Sequence, residues 1–401
     1  MQAQYLDRFE GLPESPFARL RALLDGVEPG LAPGDAPINL SLGEPRHPQP
    51  GFVMTAITEA AAGFGKYPPA LGTPDFRAAC AGWLERRYGL AGAIDADAMI
   101  LPANGTREAL FAIAQVVTPR HDGTRPLILL PNPFYQCYAA AALGAGAEPV
   151  YLNATVATRH LPDLDALTEE TLARACAIYI CSPANPQGAA ADDAYWVKLI
   201  RLARAHGITI VADECYADIY TATPPTGILE AAHGAGLGFD GIITFHSLSK
   251  RNNLPGLRSG FSAGDPAITS AYGQFRNLAA PQVPLPVMAA SIAAWNDDDD
   301  AAKNRALYNA KFDTAARILG NRFAFARPDG GFFLWLDMSE AGGGEQAALT
   351  LWREAGIRVL PGGYLSRDTA EGNPGTEYIR VALVGDEEET ARALTRMTEI
   401  F

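Results

Sequence analysis

The stretch Ile208-Thr-Ile-Val-Ala-Asp-Glu-Cys-Tyr216, followed further on by Ile242-Ile-Thr-Phe-His-Ser-Leu-Ser-Lys250 and Pro255-Gly-Leu-Arg-Ser-Gly260, decides how this chain folds. Each apolar run is short and ends in polar or Gly/Pro residues, and an amphipathic segment (193–206) precedes the first. Short apolar runs alternating with helical patterns read as strands of a sheet covered by helices on both faces. The pattern extends outward through 99–101, 127–130, 149–152, 177–181 and 260–263. The expectation is an α/β fold, its large domain spanning 46–285 around a mainly parallel seven-stranded sheet.

The texture changes after 285. A long helical region opens at Asp297–Asp300, read as a solvated helix N-terminus where carboxylates favour the dipole. Strand candidates follow at 323–326, 332–336, 357–360 and 378–383. These predict a smaller α+β domain over 286–401, joined by the N-terminal segment 1–45 with its short amphipathic helix at 17–24.

The net charge of −13 argues against a nucleic-acid partner, which calls for a basic face. It leaves room for an anionic substrate, because a local pair of arginines can oppose the global sign. Five scattered cysteines without a C-x-x-C pair point away from a disulfide framework or metal site and towards a reducing compartment. Residues 1–20 have no continuous apolar core of the signal-peptide kind, and no stretch approaches the ~20 apolar residues of a membrane helix. The chain reads as cytoplasmic.

In an open α/β sheet, ligands sit beyond the carboxyl ends of the strands. Asp213 ends one such strand, where a partly buried carboxylate needs a cationic partner such as a protonated pyridine nitrogen; it could equally cap a helix. Tyr216 could reach the phenolic oxygen of the same ring. Lys250 suits imine formation with a carbonyl cofactor, and Ser247, Ser249 and Arg258 suit its phosphate. Asn104-Gly-Thr-Arg-Glu108 opens a helical pattern, whose free N–H groups form a ready phosphate site. Ser182-Pro-Ala-Asn-Pro-Gln-Gly188 places Asn185 where its amide could donate to a phenolate, or else simply forms a turn.

Together these motifs resemble the fold type I, class I/II aminotransferases that use pyridoxal 5'-phosphate (PLP). The resemblance spans positions 43 to 380. It implies that Lys250, in S-x-S-K-x5-G-x-R-x-G, carries the cofactor as a Schiff base, with Asp213 and Tyr216 the D-x-x-Y pair. It assigns Gly105, Thr106 and Arg107 to the phosphate-binding turn and Tyr135 to the ring-stacking position. Asn185 falls in the N-P-x-G motif, where Gln187 departs from the usual Thr. By the same resemblance, Gly43 lies near the substrate carboxylate and Arg380 grips it. Tyr67 reaches the partner subunit's cofactor phosphate in a homodimer, and no metal is involved.

Two stretches, 131–138 and 249–261, are similar to the N-succinyldiaminopimelate aminotransferase branch of lysine biosynthesis. That branch implies glutamate as amino donor and an acceptor rich in carboxylates, for which Arg276 is a second candidate arginine. Alternatives are an aspartate or aromatic aminotransferase, a PLP-dependent lyase on the same fold, and a non-catalytic PLP-binding regulator. The last lacks support, since no basic helix-turn-helix extension is present.

Overall fold

The computed structural model describes residues 11–401 apart from Pro13, Pro33 and Asp122. The first ten residues of the 1–45 segment, and of the stretch read above as lacking a leader's core, lie outside the described residues. A short strand, β1 (Ile38–Asn39), comes first. The seven apolar runs then form β2 (Ile100–Ala103), β3 (Leu127–Asn132), β4 (Glu148–Asn153), β5 (Ala175–Cys181), β6 (Thr209–Asp213), β7 (Ile242–Ser247) and β8 (Gly260–Gly264). They assemble into one sheet in the order β2-β8-β7-β6-β5-β3-β4. Pairing is parallel from β7 through β4, and β8 runs antiparallel to both β7 and β2. Every residue of β5 is buried, the mark of a strand covered on both faces.

The second unit holds β9 (Phe333–Asp337), β10 (Ile357–Arg358), β11 (Leu360–Pro361) and β12 (Tyr378–Ala382). β11, β12 and β9 make an antiparallel sheet, while β10 pairs in parallel with β1. The N-terminal segment thus adds a strand here. Two expectations are corrected. Residues 323–326 form no strand, because Phe323 (φ 57°) and Ala324 (φ 48°) take left-handed backbone that cannot continue a ladder. The 357–360 candidate splits at Val359 into two short strands that belong to different sheets.

The helix Leu285–Trp295 buries Met288, Ala290, Ala294 and Trp295 in the same apolar cluster as the large sheet. The following helix, Asp298–Leu319, places Phe312, Ala315 and Leu319 in the core of the three-stranded sheet. Packing thus passes from the large sheet to the three-stranded sheet between these two helices. Its N-terminus is capped by the Asp297 carboxylate, which accepts from the Asp300 N–H at 2.9 Å, a contact worth about 1 kcal/mol. The acidic run is more than a solvated face. Asp298 pairs with Arg251 at 2.7 Å and with Arg86 at 2.9 Å, and Asp300 accepts from the Asn252 amide at 2.8 Å. The long helix is thereby tied to the loop that carries Lys250.

Candidate active site

Strand register brings the expected residues to one edge. Cys181 lies opposite Asp213, Asp213 opposite Phe245, and Gly260 pairs with both Ser247 and Ala103. Because β8 returns antiparallel to β7, the loop between them holds Lys250 and Arg258 beside the Asn104-Gly105 turn that follows β2. A cavity of about 550 Å³ opens over this edge.

One end of the cavity is built for an anion. The helix Thr106–Val117 presents its N-terminus there. Arg258 lies so close to Gly105 (φ 77°) that a Cβ at that glycine would collide with the guanidinium. That guanidinium donates only to the carbonyls of Pro255 (2.9 Å) and Asn104 (3.2 Å). Ser247 and Ser249 line the same end, the Ser247 hydroxyl accepting from the Ser249 N–H at 3.1 Å.

The middle of the cavity suits a flat ring. Tyr135 lines it, its hydroxyl accepting from Arg107 Nε. Asp213 is buried beneath, accepting from the Tyr138 hydroxyl at 2.7 Å and the Cys215 N–H at 3.3 Å. Burial pushes the Asp213 carboxyl up from its ordinary range, while these hydrogen bonds pull it back. A carboxylate so placed gains from a cation above it. It does not cap a helix, since a turn follows β6.

At the other end, Lys250 Nζ donates to the Gly43 carbonyl at 2.8 Å. Burial pushes its ammonium down to about 8. Gly43 is held close, since a Cβ there would lie 2.7 Å from the Phe333 ring. Arg380, central in β12, is 4% exposed and donates to Asn185 Oδ1 (3.1 Å) and the Ser41 carbonyl (2.7 Å). Both acceptors are neutral, and among the described residues its Nε has no partner. Burial lowers its guanidinium to about 10. An arginine buried without a counter-anion is poised for an incoming carboxylate.

Tyr216 and Asn185 also line the cavity. Tyr67 does not meet the rest of the set: it is fully exposed on a loop that also exposes Phe64 and Leu71. Arg276 is corrected as a substrate candidate. Its guanidinium is buried, and Nη1 donates to both carboxylate oxygens of Glu108, at 2.7 and 2.8 Å. Tyr138, Cys215 and Glu44 were missed by the sequence reading. Tyr138 falls three residues after Tyr135 in an apolar helix, where an aromatic reads simply as core.

A family model described as "Aminotransferase class I and II" matches residues 35–397. The chain belongs to the class I and II aminotransferases. It is 33% identical over 388 residues to a 4-dedimethylamino-4-oxo-anhydrotetracycline transaminase of Streptomyces rimosus, covering 96% of this chain and 99% of that one. It is 28% identical over 402 residues to LL-diaminopimelate aminotransferase 2 of Trichormus variabilis, with 99% and 98% covered. Among solved structures, an aminotransferase from Neisseria meningitidis superposes with a TM-score of 0.94 at 39% identity, covering 99% and 100% of the two chains. A probable N-succinyldiaminopimelate aminotransferase from Thermus thermophilus gives 0.82 at 26%, covering 96% and 100%. The mixed seven-stranded sheet with a smaller domain is thus the family's fold, and the family uses PLP. The residues present fit that cofactor: Gly105 and Arg258 would cradle its phosphate, the buried acid Asp213 would suit its ring nitrogen, and Lys250 has a depressed ammonium.

Proposed function

We propose that this aminotransferase exchanges an amino group between the glutamate/2-oxoglutarate pair and an extended polycarboxylic pair, N-succinyl-LL-2,6-diaminopimelate and its 6-oxo counterpart, using PLP held on Lys250. The observation that carries the amino-acid reading is Arg380, a buried cation facing only neutral acceptors within the cavity of Lys250. Once bound, the cofactor supplies a carbonyl for covalent attachment and a ring that takes up the electrons released at the substrate's α-carbon. The protein's residues do the rest. Gly105, Thr106, Arg107, Ser247, Ser249 and Arg258 form the phosphate cradle, of which Thr106 and Arg107 supply the helix N-terminus. Tyr135 covers one ring face. Asp213 keeps the ring nitrogen protonated, and Tyr216 and Asn185 bind the ring's phenolic oxygen. Arg380, with Asn185 and Gly43, orients the substrate carboxylate. Lys250, released from the cofactor, moves the proton from the α-carbon; its low ammonium pKa leaves a useful fraction of free amine near neutral pH.

The acyl-diaminopimelate assignment is supported by the likeness of 131–138 and 249–261 to that branch. A second reading, unacylated LL-diaminopimelate, is favoured by the likeness to LL-diaminopimelate aminotransferases such as that of Trichormus variabilis. Comparison of kcat/KM for N-succinyl-LL-2,6-diaminopimelate, LL-diaminopimelate, N-acetylornithine, aspartate and phenylalanine, with 2-oxoglutarate as acceptor, tests the choice. The succinylated substrate should lead. Small apolar amino acids should be poor, because polar groups at the far end of the site would lose their partners. A lead for aspartate or phenylalanine would overturn the pathway assignment and leave the aminotransferase standing.

The active unit is read as a homodimer in which Tyr67 serves the partner's site. Support comes from the exposure of Tyr67, Phe64 and Leu71 on one loop and of Leu278 on the helix that Leu71 touches at Gly273. Mixing Tyr67→Phe chains with Lys250→Ala chains should restore activity, since each hybrid dimer then holds one intact site and one doubly impaired site. No recovery after proven subunit exchange would refute a shared site.

A further inference from the structure

His47 and Lys311 lie outside the cavity, yet they form a half-buried chain of contacts that ends on Lys250. Asn304, on the long helix Asp298–Leu319, donates both amide hydrogens to the backbone carbonyls of Lys250 and Arg251, each at 3.0 Å. This fixes the orientation of its amide and leaves Oδ1 as an acceptor, used by the Asn253 amide at 2.8 Å and by His47 Nδ1 at 2.9 Å. Nδ1 must therefore carry the ring's proton. On the other side of the ring, Lys311 Nζ lies 2.8 Å from Nε2 and donates to the Gly385 carbonyl at 2.8 Å. With a neutral ring, one proton pattern satisfies every contact: Lys311 donates to His47 Nε2, and His47 donates from Nδ1 to Asn304.

The surroundings hold that pattern in place. The His47 ring packs on Tyr308 at 4.5 Å between centroids, and Lys311 lies over the same ring. Tyr308 stacks in turn on Phe332, above which sits Lys250 Nζ. Burial lowers His47 and brings the Lys311 ammonium down to about 7; the carboxylates facing Lys311 are Asp386 and Glu389, and the nearby cation is Arg46. Arg46 also pairs with Glu389 at 3.3 Å, so the segment that begins at Gly43 is clamped to the C-terminal helix. Gly43 supplies the carbonyl that receives Lys250 Nζ. The backbone of Lys250 and the tip of its side chain are thus held through one short segment, residues 43–47.

We propose that His47, neutral and protonated on Nδ1, is a positioning residue that sets the backbone of Lys250 through Asn304 and so governs the rate of proton movement rather than substrate affinity. The proposal rests on Lys250 being the cofactor lysine, so its test includes a readout independent of turnover. In nitrogen-15 spectra of histidine-labelled protein, the resonance removed by His47→Asn should show a neutral ring protonated on Nδ1 at pH 8. A neutral ring protonated on Nε2, or an imidazolium at that pH, would overturn the assignment.

The second readout is the half-reaction with glutamate. His47→Phe keeps a ring against Tyr308 but loses both nitrogens. It should slow the limiting rate on the order of 10-fold, as misplacement of a reacting group does, with donor affinity and cofactor content unchanged. His47→Asn keeps a donor near the Nδ1 position and should recover most of that rate. His47→Gln places its amide near Nε2 instead and should not. Equal rates in the Asn and Gln variants, a wild-type rate in the Phe variant, or a rate loss that tracks lost cofactor or lowered Tm would each overturn the positioning role. If His47→Phe fails to fold, the Asn and Gln pair alone decides the question. Failure of the Lys250 reading would appear separately, as cofactor attached at another lysine.

Discussion

Lys250→Ala should abolish transamination. Loss of a positioned general acid–base group costs roughly 10²–10⁴ in rate. Here the same side chain also anchors the cofactor, so turnover in both half-reactions should fall by at least about 10⁴-fold, the upper end of that range. The geometry behind this is the Nζ contact to Gly43, which aims the amine into the cavity holding Asp213 and Arg380. A pH dependence accompanies it. Burial lowers the Lys250 ammonium to about 8, so the free amine gains population as pH rises through that value. Cofactor uptake by apo-protein, followed by its visible band, should accelerate between about pH 7 and 9 and then level off. Uptake that slows across this window would contradict the assignment of the amine.

Asp213→Asn should retain cofactor and lose most activity. The cradle at Gly105 and Arg258 and the link to Lys250 are untouched by the change, and the Tyr138 hydroxyl can still donate to the amide oxygen. What disappears is the carboxylate that would pair with the bound cofactor's ring nitrogen. Removing preorganised charge stabilisation costs on the order of 10²–10³ in rate, and kcat rather than KM should carry the loss. Near-wild-type kcat in a variant with full cofactor content would reduce Asp213 to an acceptor for Tyr138 and Cys215.

Much of the fold was legible because its strands are buried on both faces. Ala175–Cys181 is apolar almost throughout, and Ile242–Ser247 opens on an apolar run before its polar end, so both could be placed from the sequence. The short elements of the second unit were harder. Phe323 and Ala324 are apolar enough for a strand, yet left-handed backbone at both positions rules it out, and nothing local announces that conformation. Site residues at strand ends were readable through their spacing, since β7, its loop and β8 place Lys250 and Arg258 on one edge.

Side chains whose meaning lies in a distant partner were not readable. Arg276 looked free for substrate until Glu108 was found bound to it, and two carboxylates of the 297–300 run turned out to hold Arg251 and Asn252. The contact of His47 with Asn304 joins positions 257 residues apart. No periodicity encodes such a pairing. It appears only once the long helix has been laid against the Lys250 loop.

The attachment site of the cofactor tests the account most directly. The holoenzyme is reduced with borohydride, digested, and the cofactor-bearing peptide located by mass spectrometry. A single adduct per chain, on Lys250, is expected. The informative rival is Lys311, the other buried lysine with a depressed ammonium, which is committed to His47 and Gly385. An adduct on Lys311 or any other lysine, with Lys250 unmodified, would contradict the account.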